Sequence, residues 1–92
     1  LGWVLPWERL TLLDLRGQRL GDEAVREVVR QRDAAGLRWL GLADNRLTRD
    51  AARELARSAH LDLNHLDVRG NGFGPAELAA LHARFPNAVI EG

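Results

Sequence analysis

The sequence contains no cysteine, no methionine, no tyrosine and no lysine. Without cysteine, neither a disulfide framework nor a thiolate metal site can form. The 13 basic residues are all arginine, and 13 acidic residues balance them, so the formal net charge at pH 7 is zero. A neutral chain has no bulk attraction for nucleic acid or for an anionic membrane. We therefore expect neither of these as a partner.

Long apolar runs are also missing. None reaches the roughly 18 residues that a membrane-spanning helix requires. The first ten residues, LGWVLPWERL, lack the basic region and the small-residue cleavage site of a signal peptide. We therefore expect a cytoplasmic protein, and its 92 residues predict one small domain over residues 1–92.

One pattern occurs three times in the chain. In residues 37–47, LRWLGLADNRL, the leucines stand at positions one, four, six and eleven. Residues 10–20 (LTLLDLRGQRL) and 63–73 (LNHLDVRGNGF) follow the same pattern, with Val68 and Phe73 in place of leucines. We call these three stretches the leucine segments. They begin 27 and 26 residues apart, which indicates an internal repeat.

The spacing within a leucine segment predicts a strand that leads into a turn. Leu40 and Leu42 are two residues apart, so a strand points both to one face and points Trp39 to the other. The ninth position follows the strand, where backbone groups lose their partners and a side-chain amide can satisfy them. We expect a ladder of amides across the repeats, looser at its first rung because glutamine is longer: Gln18, Asn45 and Asn71.

Helix signals follow each leucine segment. In the first helix we expect Asp22 as N-cap, an inward valine face (Val25, Val28, Val29) and an end at Gly36. In the second we expect Thr48 as N-cap. Its predicted inward residues are Ala52, Leu55, Ala56 and Ala59. In the third, Pro75 suits the first helical position, and the predicted inward residues are Leu78, Leu81 and Phe85.

The three segments resemble the leucine-rich repeat, L-x-x-L-x-L-x-x-N-x-L, over residues 10 to about 85. The resemblance implies an α/β fold: a right-handed solenoid of about three repeats, with parallel strands on the concave face and helices on the convex face. Repeats would start near residues 10, 37 and 63. The end of the chain resembles the way some bacterial repeat arrays terminate, with residues 86–92 as a C-terminal cap and Val89 or Ile90 pointing inward.

Two interpretations of residues 1–9 stay open. Their apolar side chains could form an N-terminal cap, or they could be the severed edge of a preceding repeat. We favour the cut edge, since the chain starts without methionine and three repeats are near the minimum for stability.

Residues with catalytic or ligand chemistry are sparse. His60, Asp62 and His65 match no metal-ligand spacing, and Ser58, the only serine, lacks the surroundings of a nucleophile. The glycines of residues 70–74 lack the lysine of a phosphate-binding loop. Asp14 and Asp67 occupy equivalent positions two repeats apart, roughly 10 Å from each other. We expect no metal, no cofactor, no small-molecule substrate and no enzymatic activity.

The outward strand positions are the candidate binding surface. An outward Trp39 between leucine and histidine, near arginines and aspartates, is typical of binding hot spots. The predicted contact residues are Leu12, Asp14, Arg16, Arg38, Trp39, His65, Asp67 and Arg69. Two functions stay open: a non-enzymatic module that binds a protein partner or a neighbouring domain, and a structural spacer or cap within a larger enzyme or receptor. They differ in whether Trp39 touches a separate molecule or the same polypeptide.

Overall fold

Four short strands form a parallel sheet in the computed structural model, which describes residues 3–92. Their order in the sheet is their order in the chain. They are β1 (Leu12–Asp14), β2 (Trp39–Gly41), β3 (His65–Asp67) and β4 (Val89–Glu91). The first three lie where the leucine segments predicted strands, so the expected α/β class and parallel sheet are confirmed.

The strands pair in the register that the repeat predicts. Leu13, Leu40 and Leu66 align across β1, β2 and β3, and Ile90 continues the row on β4. Alternate residues of a strand point to opposite faces, so these four side chains share the face that packs into the core. Of the two inward candidates on β4, Ile90 points inward, whereas Val89 is 59% exposed.

The first helix, α1 (Asp22–Val29), differs from the prediction at both ends. Its N-cap is Gly21, at φ 73°, a conformation that glycine adopts readily. Asp22 is the first helical residue, and its carboxylate accepts hydrogen bonds from the N–H (2.8 Å) and the hydroxyl (2.5 Å) of Thr48. The helix ends at Val29 because Gln31 is extended, and Gly36 instead closes a separate 3₁₀ helix, Arg32–Gly36.

The second helix, α2 (Arg49–Arg57), begins as predicted. Thr48 is the N-cap, and its hydroxyl accepts a hydrogen bond from the N–H of Asp50. Leu55 and Ala52 are buried, but Ala56 is only half-buried and Ala59 is exposed. The prediction for Ala59 is wrong because the helix ends two residues earlier, where Ser58 turns extended.

The third helix, α3 (Pro75–Arg84), has Pro75 at its first position, as predicted. Leu81 and Phe85 are buried, while Leu78 is half-buried and packs against the core. The predicted inward residues of α1 follow the same pattern: Val25 and Val28 are buried, and Val29 is half-buried. Neighbouring helices contact each other in chain order, α1 with α2 and α2 with α3.

The predicted amide ladder has two rungs within residues 3–92. Asn45 is fully buried, and its Oδ1 accepts from the N–H groups of Gln18 and Leu20, both at 3.1 Å. Its Nδ2 donates to the carbonyl of Leu15 at 2.7 Å. Asn71 repeats the arrangement one step along, with its Oδ1 accepting from the N–H groups of Asn45 (2.9 Å) and Leu47 (3.0 Å).

Gln18 does not form the expected first rung. Its side chain is exposed and makes no hydrogen bond to any residue of the described part of the chain. Only its backbone N–H takes part, as a donor to Asn45. Each asparagine side chain forms hydrogen bonds with the backbone of the preceding leucine segment. The backbone of the first segment is therefore bound by Asn45, but its own side chain, Gln18, adds no further rung.

The N-terminal residues pack on the core from residue 3 onward. Trp7 opens a 3₁₀ helix, Trp7–Arg9, and is buried, while Trp3 and Leu5 are half-buried against the core. Val4 is 97% exposed. The first two residues of the predicted cap or cut edge, 1–2, lie outside the described residues.

Candidate functional site

The sheet has one face that the helices leave open. Because Leu40 and Leu66 point into the core, their strand neighbours point away from it. The pairing register aligns four of these neighbours in one row across the sheet. We call this the central row: Leu12, Trp39, His65 and Val89. Leu12 is 56% exposed and Val89 is 59% exposed, whereas Trp39 and His65 are half-buried.

Trp39 is held in place by its own chain. Its ring lies over Gly41, where an added Cβ would stand 2.6 Å from ring carbons. The ring stacks on His65, with centroids 5.7 Å apart and planes 22° apart. The guanidinium of Arg16 stands 5.2 Å from the Trp39 centroid, in the range of a cation–π contact. The outward direction of Trp39 matches the prediction, but the side chain is fixed by neighbours rather than free in solvent.

Arginine–aspartate pairs flank the central row. Arg16 binds Asp14 through two hydrogen bonds of 2.8 and 2.9 Å. Arg69 binds Asp67 in the same way, with both hydrogen bonds at 2.9 Å. Arg16 also comes within 3.7 Å of Asp67. Such two-point pairs fix the orientation of both partners.

Asp67 departs from the expectation that it contacts a partner. It is fully buried, and two arginines, Arg69 and Arg16, lie against its carboxylate. The pKa of the Asp67 carboxyl lies below its ordinary value, mainly because Arg69 donates a hydrogen bond to the carboxylate. The hydrogen bond from Arg16 lowers the pKa of Asp14 in the same direction. Both groups are therefore ionised at neutral pH, and Asp67 serves to position arginines.

Arg38 lies at the amino end of β2 and joins two loops. Its Nη1 donates to the carbonyls of Ala35 (2.8 Å) and Asp62 (3.0 Å). The Asp62 carboxylate stands 3.8 Å away. Arg38, which the sequence predicted as a partner contact, is thus half-buried and engaged with backbone carbonyls.

Strand β4 adds two residues that the sequence prediction did not include. Glu91 aligns with Asp67, and its carboxylate lies 2.7 Å from Nε2 of His65 and 3.9 Å from Arg69. Val89 completes the central row beside His65. The alternation of Val89, Ile90 and Glu91 carried this signal, since it places an apolar and an acidic residue on the same outward face.

An open depression of about 650 Å³ lies beside these pairs. Ala43 separates Arg16 and Arg69 there, and its short side chain leaves the space between them unfilled. The lining residues are Asp14, Arg16, Gly17, Gln18, Ala43, Asp44 and Arg69. The arginines are already paired with aspartates, so a polar group entering the depression meets a charge-balanced wall.

The residues considered for chemistry are not brought together. No group of three histidine, aspartate or glutamate side chains that could hold a metal occurs within residues 3–92. Ser58 is buried and its hydroxyl donates to the carbonyl of Leu55 at 2.7 Å. The glycine stretch 70–74 forms the turn after β3, and the N–H of Gly72 donates a hydrogen bond to the carbonyl of Leu47.

Across residues 3–92, no helix has the length and apolar character needed to cross a bilayer. Comparison with protein-family models, with curated proteins and with solved structures finds no significant match to this chain.

Proposed function

We propose that this chain is a segment of the leucine-rich-repeat type that acts as a non-enzymatic protein-interaction module. The open face of the sheet is the working surface, and it binds a protein partner or a neighbouring domain of the same polypeptide. In this proposal the strands lie on the concave side of a right-handed solenoid. The in-register strands, the chain-order packing of the helices and the asparagine ladder support that architecture.

The central row is the observation that carries the proposal. Three large hydrophobic side chains are strongly exposed within residues 3–92, and two of them, Leu12 and Val89, flank Trp39 and His65 in this row. The row is therefore an apolar and aromatic band across four strands. Rigid aromatic and aliphatic groups surrounded by polar residues are the usual composition of an interface centre.

The pairing of the arginines changes how a partner would be recognised. Because Arg16 and Arg69 already bind aspartates, a partner carboxylate would have to compete with them. We infer that the band anchors the partner through apolar contacts and that the charged pairs form its rim. Recognition of this kind uses no cofactor, no metal and no small-molecule substrate, and it involves neither nucleic acid nor membrane.

The absence of catalysis in this proposal rests on the same geometry. Asp14 and Asp67 are each bound by an arginine that lowers the carboxyl pKa, so neither is suited to carry a proton at neutral pH. Ser58 donates its proton to a backbone carbonyl and has no neighbouring base among its hydrogen-bond partners.

One observation favours the second candidate, a structural spacer or cap inside a larger protein. The charged groups around Trp39 are satisfied by the chain itself, through Arg16, Arg69, His65 and Glu91. A surface that is internally paired can also serve simply to hold a repeat rigid. The two candidates differ in what the central row touches.

The test uses Leu12→Ala/Val89→Ala, because both side chains are exposed and their truncation leaves no core cavity. The wild-type chain is used to capture partners from cell extract, and each identified partner is then titrated with wild type and variant. We expect the double variant to unfold at the same temperature and to bind about 30-fold more weakly, equivalent to about 2 kcal/mol.

Val4→Ala is the matched control, since Val4 is 97% exposed and lies outside the central row. It should bind like wild type. Equal binding by all three proteins would remove the open face as the working surface and leave the spacer function.

A further inference from the structure

The outer surface of α2 carries a row of three arginines. Arg49, Arg53 and Arg57 follow one another at intervals of four residues, so they stand roughly 6 Å apart along one side of the helix. All three are exposed. They line one side of a groove of about 360 Å³ between α2 and α3. This surface lies on the helices, away from the open face of the sheet.

These arginines differ from those beside Trp39 in their lack of strong partners. Arg53 comes only within 4.0 Å of Asp50, and both side chains are more than half exposed, so the pair is weak. Arg49 and Arg57 make no ion pair with any residue between 3 and 92. Among the residues that line the groove, three arginines stand against one acid, so the groove carries a net positive charge.

The one acid that lines the groove is already engaged. Oε1 of Glu77 accepts a hydrogen bond of 2.8 Å from the N–H of Gly74, at the start of α3. This contact holds the carboxylate at the helix N-terminus, where the helix dipole favours negative charge. Within residues 3–92, Glu77 makes no ion pair with the three arginines, so they can accept a carboxylate from outside, with only the weak Arg53–Asp50 contact to compete.

The floor of the groove is made of methyl groups. It is lined by alanines from both helices: Ala52, Ala56, Ala76 and Ala80. Small side chains let a third helix approach closely, since helix axes pack 8–10 Å apart depending on the residues in contact. The groove contains no aromatic side chain on which a base could stack. It also has no bulky apolar side chain to insert into a membrane.

We propose that this groove binds an acidic amphipathic helix of another protein. The partner helix lies along the groove, with carboxylates one turn apart over Arg49, Arg53 and Arg57 and with small apolar side chains against the alanine floor. Acids four residues apart on a helix are spaced like the arginines, so one register satisfies all three. This surface is separate from the open face and acts independently of it.

The probe is a fluorescent helical peptide with glutamates at every fourth position and alanines along the adjoining stripe. Its anisotropy is measured against the full chain at low salt and at 0.15 M salt. We expect saturable binding that weakens with salt. Arg49→Gln/Arg53→Gln/Arg57→Gln should raise Kd at least tenfold. Ala80→Gln should raise it several-fold by filling the floor.

Two controls separate recognition from general charge attraction. Arg9→Gln/Arg26→Gln/Arg32→Gln removes the same charge from exposed positions elsewhere and should change Kd less than twofold. A peptide of identical composition with its glutamates dispersed around the helix should bind at least tenfold more weakly. Leu12→Ala/Val89→Ala should leave peptide binding unchanged, whatever its effect on the open face.

Circular dichroism confirms that each variant is folded before binding is measured. Equal loss of affinity in both triple variants would overturn the proposal, because only net charge would then matter. So would tighter binding of single-stranded DNA or of anionic phosphatidylserine vesicles than of the peptide, if the groove variant abolished it. Equal affinity for the peptide with glutamates at every fourth position and for the peptide with dispersed glutamates would also overturn the proposal.

Discussion

The first and second leucine segments have nearly the same pattern but very different surroundings. In the second, Leu40 and Leu42 are fully buried and Leu47 is 1% exposed. The equivalent leucines of the first segment are only half-buried: Leu13, Leu15 and Leu20. The second segment has a neighbouring strand on each side, whereas β1 lies at the edge of the sheet and, within residues 3–92, pairs with β2 alone. The comparison teaches that the pattern sets the direction of a side chain, and the number of neighbours sets its burial.

The largest difference should appear when leucines are truncated. Leu40→Ala leaves a cavity in the packed core and should cost about 3–4 kcal/mol of unfolding free energy, whereas Leu13→Ala should cost about half as much. Urea unfolding, monitored by circular dichroism, measures the free energy of unfolding of both variants. If the two variants lose equal stability, burial at the edge strand is as complete as in the centre.

The asparagine ladder offers a second comparison. Asn45→Ala removes the acceptor for two backbone N–H groups and should cost about 1–3 kcal/mol. Gln18→Ala removes an exposed side chain that makes no hydrogen bond within residues 3–92. It should change the free energy of unfolding by less than about 0.5 kcal/mol. Thermal melts of both variants check this. A comparable loss for Gln18→Ala would show that the first rung contributes after all.

Acid unfolding should distinguish the aspartates of the first and third segments. The folded pKa of Asp67 is lowered, so its stabilisation is complete above the unfolded pKa, about 3.9. It is then lost as pH falls below that value toward the lowered folded pKa. Asp67→Asn should therefore be less stable than wild type at pH 7, by about 1–3 kcal/mol, and the gap should narrow below pH 4.

Asp14 provides the control for this titration. It makes the same kind of arginine pair, but its side chain is 41% exposed and that of Asp67 is 0% exposed. Asp14→Asn should therefore show a smaller gap at pH 7. Urea unfolding at several pH values measures both, and a pH-independent gap for Asp67→Asn would contradict the role of its charge.

The smallest expected effect concerns the residue that follows each segment. Gly21, Thr48 and Gly74 are the three N-caps, and only threonine caps with its side chain. Thr48→Ala should cost about 1 kcal/mol, whereas Thr48→Gly, which copies the other two caps, should cost a few tenths. Thermal melts separate these values. If both variants lose the same stability, the stabilisation by Thr48 comes from the hydrogen bond between its hydroxyl and Asp22.

The sequence predicted the strands and the ladder better than the helix ends. The leucine spacing located three strands because period-two alternation is a local property. The predicted length of the helix after the first segment was too long. No local sequence signal indicates that Gln31 has an extended backbone. Likewise, Ala59 has the helical spacing of an inward residue but lies beyond the point where α2 ends.

The site was predicted in outline only. Position in the repeat placed Trp39, His65 and the arginines near one another. It could not show that Arg69 would cover Asp67, nor that Glu91 would reach His65. The second contact joins residues 26 apart in the chain, and it depends on the register and the rotamers of two strands.

The sequence by itself thus determined where the first three strands lie, which face the residues of those strands point to and where asparagines join neighbouring turns. These follow from backbone periodicity and hydrogen-bonding capacity, which are properties of short stretches. Only the tertiary structure decided that Asp67 is buried, that Trp39 rests on Gly41 and that, within residues 3–92, the arginines of α2 have at most one weak ion pair while Arg16 and Arg69 on the sheet are paired. These outcomes depend on distances between elements, and a distance is set only when the elements pack.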